Sequence, residues 1–148
     1  MGRMREIKFR GKPIEFYSDT KWFYGSAIMN YEDRLAYIEE PGNGFVPVKW
    51  ASVSEYTGLK DKNDKELFEG DVFEENYFDN EYDGQVINRY EVIFNNGAFM
   101  AKPIGVTSNK FPIYLVFMFA NKPKCHDVEI LGNVYENPEL LKGADENE

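Results

Sequence analysis

Short apolar stretches in alternation with polar positions run along most of this chain, and turn residues punctuate them at close intervals. Arg5-Glu6-Ile7-Lys8-Phe9-Arg10 sets Ile7 and Phe9 on one side and charged groups on the other, the pattern of a half-buried first strand. Trp22 to Met29, with Gly25 inside it as a bulge signal, and Leu35 to Ile38 read as a hairpin or meander. Pro41-Gly42-Asn43-Gly44 supplies a turn before Phe45 to Trp50, and Pro47 assigns that strand to a sheet edge. Polar residues Asp61 to Lys65 separate Leu59 from Leu67 and Phe68, and Glu69-Gly70-Asp71 turns the chain into Val72 and Phe73.

The clearest hairpin is Tyr90 to Met100, where Asn96-Gly97 fits the two positive-φ sites of a type I′ turn between alternating flanks. Ile113 to Phe119 is apolar on both faces and predicts a central strand, the most buried element of the fold. Val128 to Tyr135 predicts the last strand, with Gly132 as a bulge or close-approach point. Asn137 and Pro138 then open a short helical turn that stops at Gly143 and docks Leu140 and Leu141. Long amphipathic periodicity and repeats are absent, so the expected class is mainly β: an N-terminal β unit over 1–55 and a small SH3-like or related β-barrel over 56–143, as two units or one continuous domain, and a disordered tail over 144–148.

Composition supports a packed body. Of 148 residues, 43% are apolar and 16% aromatic, which suits half-buried strands and excludes a disordered chain. Net charge is −9, the opposite of what phosphate neutralisation asks for, so nonspecific nucleic-acid binding is disfavoured. The charge is blocked. Residues 1–55 balance eight bases against eight acids, whereas Glu69, Asp71, Glu74, Glu75, Asp79, Glu81 and Asp83 form a base-free run that reads as a solvated acidic loop or face. Lys102, Lys110, Lys122 and Lys124 occupy an acid-free stretch.

Cys125 is the sole cysteine, so no disulfide forms within the chain. The basic start has no apolar run behind it, Glu6 stands where a myristoylation signal needs Ser or Thr, and Ile113 to Ala120 is too short to span a bilayer. A cytoplasmic chain with no membrane partner is expected.

Several constellations tempt a chemical reading. Cys125-His126-Asp127 gathers nucleophile, base and acid, but neighbours on an extended chain point to opposite faces. Cys125 reads as inert even with Lys122 and Lys124 nearby to lower its thiol pKa, and His126, the only histidine, has no partners of the kind zinc needs. Asp79 to Gly84 imitates the beginning of a calcium loop, yet the twelfth position is Tyr90 where a bidentate carboxylate belongs, and Asp61 to Glu66 is a poorer match because Lys65 fills a ligand position. Arg5, Lys8, Phe9, Arg10, Lys12, Phe16, Tyr17, Lys21 and Trp22 interleave charge and rings as a single-strand stacking groove does, although inward-packed strand aromatics give the same pattern. No serine-hydrolase elbow, phosphate loop or dinucleotide fingerprint is present. Accordingly no catalytic, cofactor-binding or metal-binding residue is assigned.

Four stretches together resemble the YopX family of phage and prophage proteins: Met4 to Lys12, Trp22 to Ser26, Tyr56 to Phe73, and Leu131 to Leu141. Asp64 departs from the resemblance, standing in a turn where relatives often carry Gly and hinting at a different turn geometry, while Phe68 and Phe73 fill slots that vary. The resemblance implies a small, β-rich phage or prophage protein and transfers no site residue. Combined with the side-chain reading, it leads to a non-enzymatic accessory protein that works through protein contacts. A homo-oligomer joined through strand edges near Pro47 is expected, with a nucleic-acid-binding or nucleic-acid-mimicking regulator as the alternative.

Overall fold

The computed structural model describes residues 5–16, 19–81, 84–105 and 111–142. It is mainly β, and the chain divides into two compact units between Gly58 and Leu59.

In the first unit β1 (Phe9–Gly11), β2 (Phe23–Asn30), β3 (Leu35–Glu40), β4 (Gly44–Val48) and β5 (Ser54–Lys60), whose last two residues pass the boundary, stand in the order β4-β3-β2-β1-β5. Alternation delivers Phe23, Ala36, Ile38, Val46 and Val48 to one face, where they form the core of the unit. The N-terminal strand departs from its expected pattern. Pairing begins only at Phe9, opposite Gly25 and Glu55, so Ile7 lies before the ladder and is exposed. Arg10 is buried instead, its guanidinium 4.4 Å from the Trp22 ring centre.

Gly25 is not a bulge, because neither ladder slips there. It is where β2 changes partner: Phe23 to Gly25 pair with β1, and Ser26 to Asn30 pair with β3. A Cβ at this position would overlap the Glu39 carbonyl oxygen. Pro47 does sit on the edge strand β4, as its missing N–H requires. That edge is covered locally by the segment after β1, through the Ile14 N–H donating to Pro47 O at 3.1 Å and the Lys49 N–H donating to Lys12 O at 2.8 Å.

In the second unit β6 (Glu66–Phe68) follows the Asp61–Lys65 turn, and the main sheet has the order β10-β9-β8-β7-β11. Its strands are β7 (Asp71–Asp79), β8 (Gly84–Asn95), β9 (Ala98–Ile104), β10 (Ile113–Tyr114) and β11 (Val128–Asn133). The order is linear, so among the described residues the sheet is open and the expected barrel is not closed. Leu67, Phe73, Tyr90, Val92, Ala101, Leu115, Phe119 and Val128 make the core.

Asn96 and Gly97 take φ of 52° and 81° between the paired Asn95 and Ala98, giving the expected hairpin. The ladder between β11 and β7 slips between Ile130 and Gly132, the bulge expected there.

Two expectations fail. Ile113 to Phe119 is not a central strand: two residues form edge strand β10, and Leu115–Met118 close one helical turn, α1. Spacings of three and four residues put Leu115, Met118 and Phe119 against the core and leave Ile113, Tyr114, Val116 and Phe117 exposed. Of the two readings of the acidic run, loop or face, the loop fails: Asp71 to Asp79 form β7, which pairs with both β8 and β11 over Val72 to Glu75.

At the C-terminal side, Pro138–Leu141 is a short 3-10 turn whose Asn137 side chain caps no helix N–H. Leu140 approaches Gly132, whereas Leu141 is exposed. Gly143 and the 144–148 tail lie outside the described residues, as do Tyr17, Asp83 and Lys110.

Candidate functional site

Leu59 to Phe73 and Leu131 to Leu141 meet in the second unit, where Val72 pairs with Gly132 and Asp71 with Asn133. Asp61 has no solvent exposure at all. Its Oδ1 accepts the N–H groups of Asn63 at 2.8 Å and Lys65 at 3.0 Å, and its Oδ2 accepts the Ile130 N–H at 2.9 Å. One carboxylate therefore shapes the turn and fastens it to β11.

Asp64 has φ of 64°, the left-handed conformation that glycine adopts most readily. Asp71, also buried, accepts the Phe68 N–H at 2.8 Å across the Glu69-Gly70 turn. Gly70, at φ of 89°, donates to Val92 O and accepts from the Val134 N–H, both at 2.9 Å. Asn133 Oδ1 accepts the N–H groups of Tyr135 at 3.0 Å and Glu136 at 2.9 Å.

Each of these three buried polar side chains faces backbone donors of its own turn or of the adjoining strand. Such groups hold chain segments in place, and their acceptor oxygens are engaged where general-base or ligand chemistry would need them open. The recognisable residues are thus a scaffold. A family model described as YopX protein matches residues 10–142, a span that takes in both motif stretches. The chain belongs to the YopX family. No curated protein matches it. In this YopX-family chain these motif side chains carry the architecture.

The candidates raised by the sequence are dispersed. Cys125 is half-buried, and burial raises its thiol pKa, the reverse of the lowering that Lys122 and Lys124 offered. Lys124 points its ammonium to Asp64, 3.0 Å away, and His126 and Asp127 are exposed. Asp79 accepts the Glu81 N–H at 2.8 Å in the β7–β8 turn, and Tyr90 lies within β8, stacked 5.4 Å from Phe73. Among the described residues no three of the side chains His, Cys, Asp and Glu converge as metal ligands.

At the N-terminus the rings already face cations of the chain itself: Lys8 lies over Tyr56 at 5.4 Å, and Arg10 and Lys12 both over Trp22. Phe16 is 88% exposed and stands apart from that stacking. A cleft of about 590 Å³ is lined by Glu6, Lys8, Tyr24, Gly25 and Glu40 among others. Three of its charges are tied locally, Lys8 to Glu6 at 3.3 Å and Glu40 to the Tyr24 N–H at 2.8 Å. No helix among the described residues is long and apolar enough to cross a membrane.

Sequence reading missed the pair Glu75 and Tyr90. They share a face because Glu75 neighbours Phe73, the register partner of Tyr90, at the next position of that side. The Tyr90 hydroxyl donates to Glu75 Oε1 at 3.4 Å. Burial raises the Glu75 carboxyl above its ordinary range, against hydrogen bonds from Asn88 and Tyr90. Burial, then the Glu75 charge, pushes the Tyr90 phenol up to about 12. Reading Glu74 and Glu75 as strand residues would have exposed the signal, because one of two adjacent acids on a strand must face inward.

A raised carboxyl pKa stabilises the fold fully below the unfolded value of 4.5 and loses that contribution as pH rises through the folded value. Glu75→Gln is therefore expected to be more stable than the parent at pH 7 and to converge with it near pH 4. Thermal melts at the two pH values check this; an equal offset at both would contradict it.

Proposed function

We propose that this YopX-family chain is a phage- or prophage-type accessory protein that acts in the host cytoplasm by contact with another protein and performs no chemistry of its own. The observation that carries this reading is the apolar run at the β10 edge. Phe111 is 90% exposed and Phe117 69%, and Ile113, Tyr114 and Val116 are exposed between them. The Tyr114 and Phe117 rings pack edge to face at 5.6 Å, which holds the patch in shape without covering it. Monomeric proteins rarely leave a contiguous group of large apolar side chains in water unless a partner buries it. Aromatic anchors of this kind dominate binding energy at protein interfaces.

Nucleic-acid binding is less well supported. Lys102 interacts with Glu91, and Lys124 is paired with Asp64, so cations of the acid-free stretch are partly neutralised within the fold.

The test is affinity capture from phage-carrying bacteria, comparing the parent chain with Phe111→Asp/Phe117→Asp. Both sites are exposed, so the variant is expected to melt within about 1 kcal/mol of the parent. Proteins enriched on the parent should fall at least about tenfold on the variant, the scale of losing one interface anchor. An unchanged set of captured proteins, or turnover of a small molecule by the purified chain, would defeat the reading.

A further inference from the structure

Strands β1 and β2 separate after three pairs. They are matched from Gly11–Phe23 to Phe9–Gly25, and beyond Gly25 strand β2 runs on to Asn30 beside β3 alone. Hydrogen-bonding direction alternates along each antiparallel strand, so the open side of β2 can be traced from either end of the sheet. From the β5 end, the Tyr56 N–H donates to Lys8 O at 2.8 Å, which turns Lys8 toward β5 and its neighbour Phe9 toward β2. Gly25, the partner of Phe9, therefore faces β1, and Ala27 and Met29 face the same way. From the β4 end, Pro47 turns its carbonyl outward to the Ile14 N–H, so its register partner Tyr37 bonds on the other side, to Ile28. On both counts the N–H and C=O groups of Ala27 and Met29 point away from β3, into the gap that opens before Phe9. Among the described residues they have no hydrogen-bond partner there. Residues 5–8 form no ladder with β2 and follow β5 instead, with the Arg5 guanidinium 3.6 Å from Glu55.

We propose that this fork is a strand-addition site, at which an extended, lysine- or arginine-bearing segment of a partner protein pairs its backbone with Ala27 and Met29 and seats a basic side chain in the adjoining cleft. The inference concerns the first unit and goes beyond the contact reading above, which rests on apolar side chains at β10 and α1.

The backbone selects an extended polypeptide, because its N–H and C=O groups recur at the two-residue spacing that Ala27 and Met29 present. Natural sheets blunt an open edge with lysine, proline or a bulge, and Ser26-Ala27-Ile28-Met29-Asn30 contains none of these. Charge selects the basic side chain. The cleft of about 590 Å³ at the fork is lined by Glu6, Ile7 and Lys8 before β1 and by Tyr24, Glu39 and Glu40 from β2 and β3, three carboxylates against one ammonium. Glu6 is paired with Lys8, and Glu40 accepts the Tyr24 N–H and the Asn43 side-chain amide. Glu39 is left exposed, with no ion pair among the described residues. A cation entering beside it also meets the Tyr24 ring, 38% exposed. Ile7 and Ile28, 56% and 47% exposed, supply apolar contacts for the alternate residues of an added strand.

Hydrogen exchange of the full chain is expected to show fast Ala27 and Met29 amides on either side of a protected Ile28 amide, the signature of a strand bonded on one side. The probe is a synthetic octapeptide of alternating valine and lysine. At about 1 mM it should slow the Ala27 and Met29 amides at least about tenfold, whereas the same peptide N-methylated on every amide should leave them unchanged. Glu39→Lys should weaken the valine–lysine peptide at least about tenfold and favour a valine–glutamate one. Ala27→Pro removes one N–H from the open edge while the β3 ladder keeps its bonds, and should abolish protection of Met29 by the peptide. Four results would overturn the proposal: Ala27 and Met29 amides already protected in the free chain, no protection by the valine–lysine peptide, binding indifferent to N-methylation or to Glu39→Lys, or a dimer of the chain that protects the same two amides. Glu39 is exposed and outside the core, so its variant decides the matter even if Ala27→Pro folds poorly. Phe111→Asp/Phe117→Asp should bind the peptide like the parent, which separates a failure here from failure of the contact reading.

Discussion

Asp61→Ala is expected to lower the unfolding free energy by about 3–5 kcal/mol, enough to leave little folded protein in a domain of ordinary stability. The carboxylate is fully buried and accepts three backbone N–H groups, two in its own turn and one from Ile130. Alanine strands those donors in a site where water has no ready entry, and each unsatisfied buried donor costs about 1–3 kcal/mol. Asp61→Asn keeps the shape but replaces one acceptor oxygen with an NH₂ group. Whichever way the amide turns, a donor then faces a donor, so about half the loss should remain. Urea titration measures both variants. Hydrogen exchange adds a local reading, because the Asn63, Lys65 and Ile130 amides should lose protection first. If Asp61→Ala costs less than about 1 kcal/mol, the motif does not work as the scaffold described above.

The fate of Asp61 also shows what the sequence could and could not disclose. Its turn was visible, as polar residues between two apolar pieces, and so was the β class. Its role was not, because the decisive acceptor contact is with Ile130, far along the chain. Local rules succeeded where local chemistry decides: Asn96-Gly97 closes a hairpin, Pro47 lies on an edge strand, and Gly132 accompanies a bulge. They failed where long-range packing decides. Ile113 to Phe119 is uniformly apolar, and such a run does not disclose its period; helical spacing buried Leu115 and Phe119 and left Phe117 outside.

Charge misled in the same manner. Arg10 was placed on the solvent side by alternation, yet the Trp22 ring lies over its guanidinium inside the fold. The acids of β7 read as a loop because adjacent carboxylates seldom mark a strand, although Glu74 is paired there with Arg89 at 3.5 Å. Likewise the proposed contact surface was legible as composition and illegible as a place. Tyr114 and Phe117 read as core because nothing in the local pattern says which side of an apolar run will meet water.

Gly25→Ala should be the other severe substitution, costing at least about 3 kcal/mol, in the range of overpacking a site that cannot relax. The cause is space rather than backbone freedom, since the added Cβ would overlap the Glu39 carbonyl oxygen. A flexible side chain could swing aside; a carbonyl in a paired strand moves only with its strand. The ladder from Ser26–Glu39 to Asn30–Leu35 starts at the next residue, so relief requires β3 to separate from β2. Gly97→Ala supplies the contrast, because Gly97 has φ of 81° and open space around its would-be Cβ. There only the left-handed conformation is penalised, by about 1–2 kcal/mol. Hydrogen exchange should show Gly25→Ala releasing the amides shared by β2 and β3 while those of the second unit stay protected. Equal stability losses for the two alanine variants would mean that the Glu39 carbonyl yields and that β2 is free to turn at Gly25 without it.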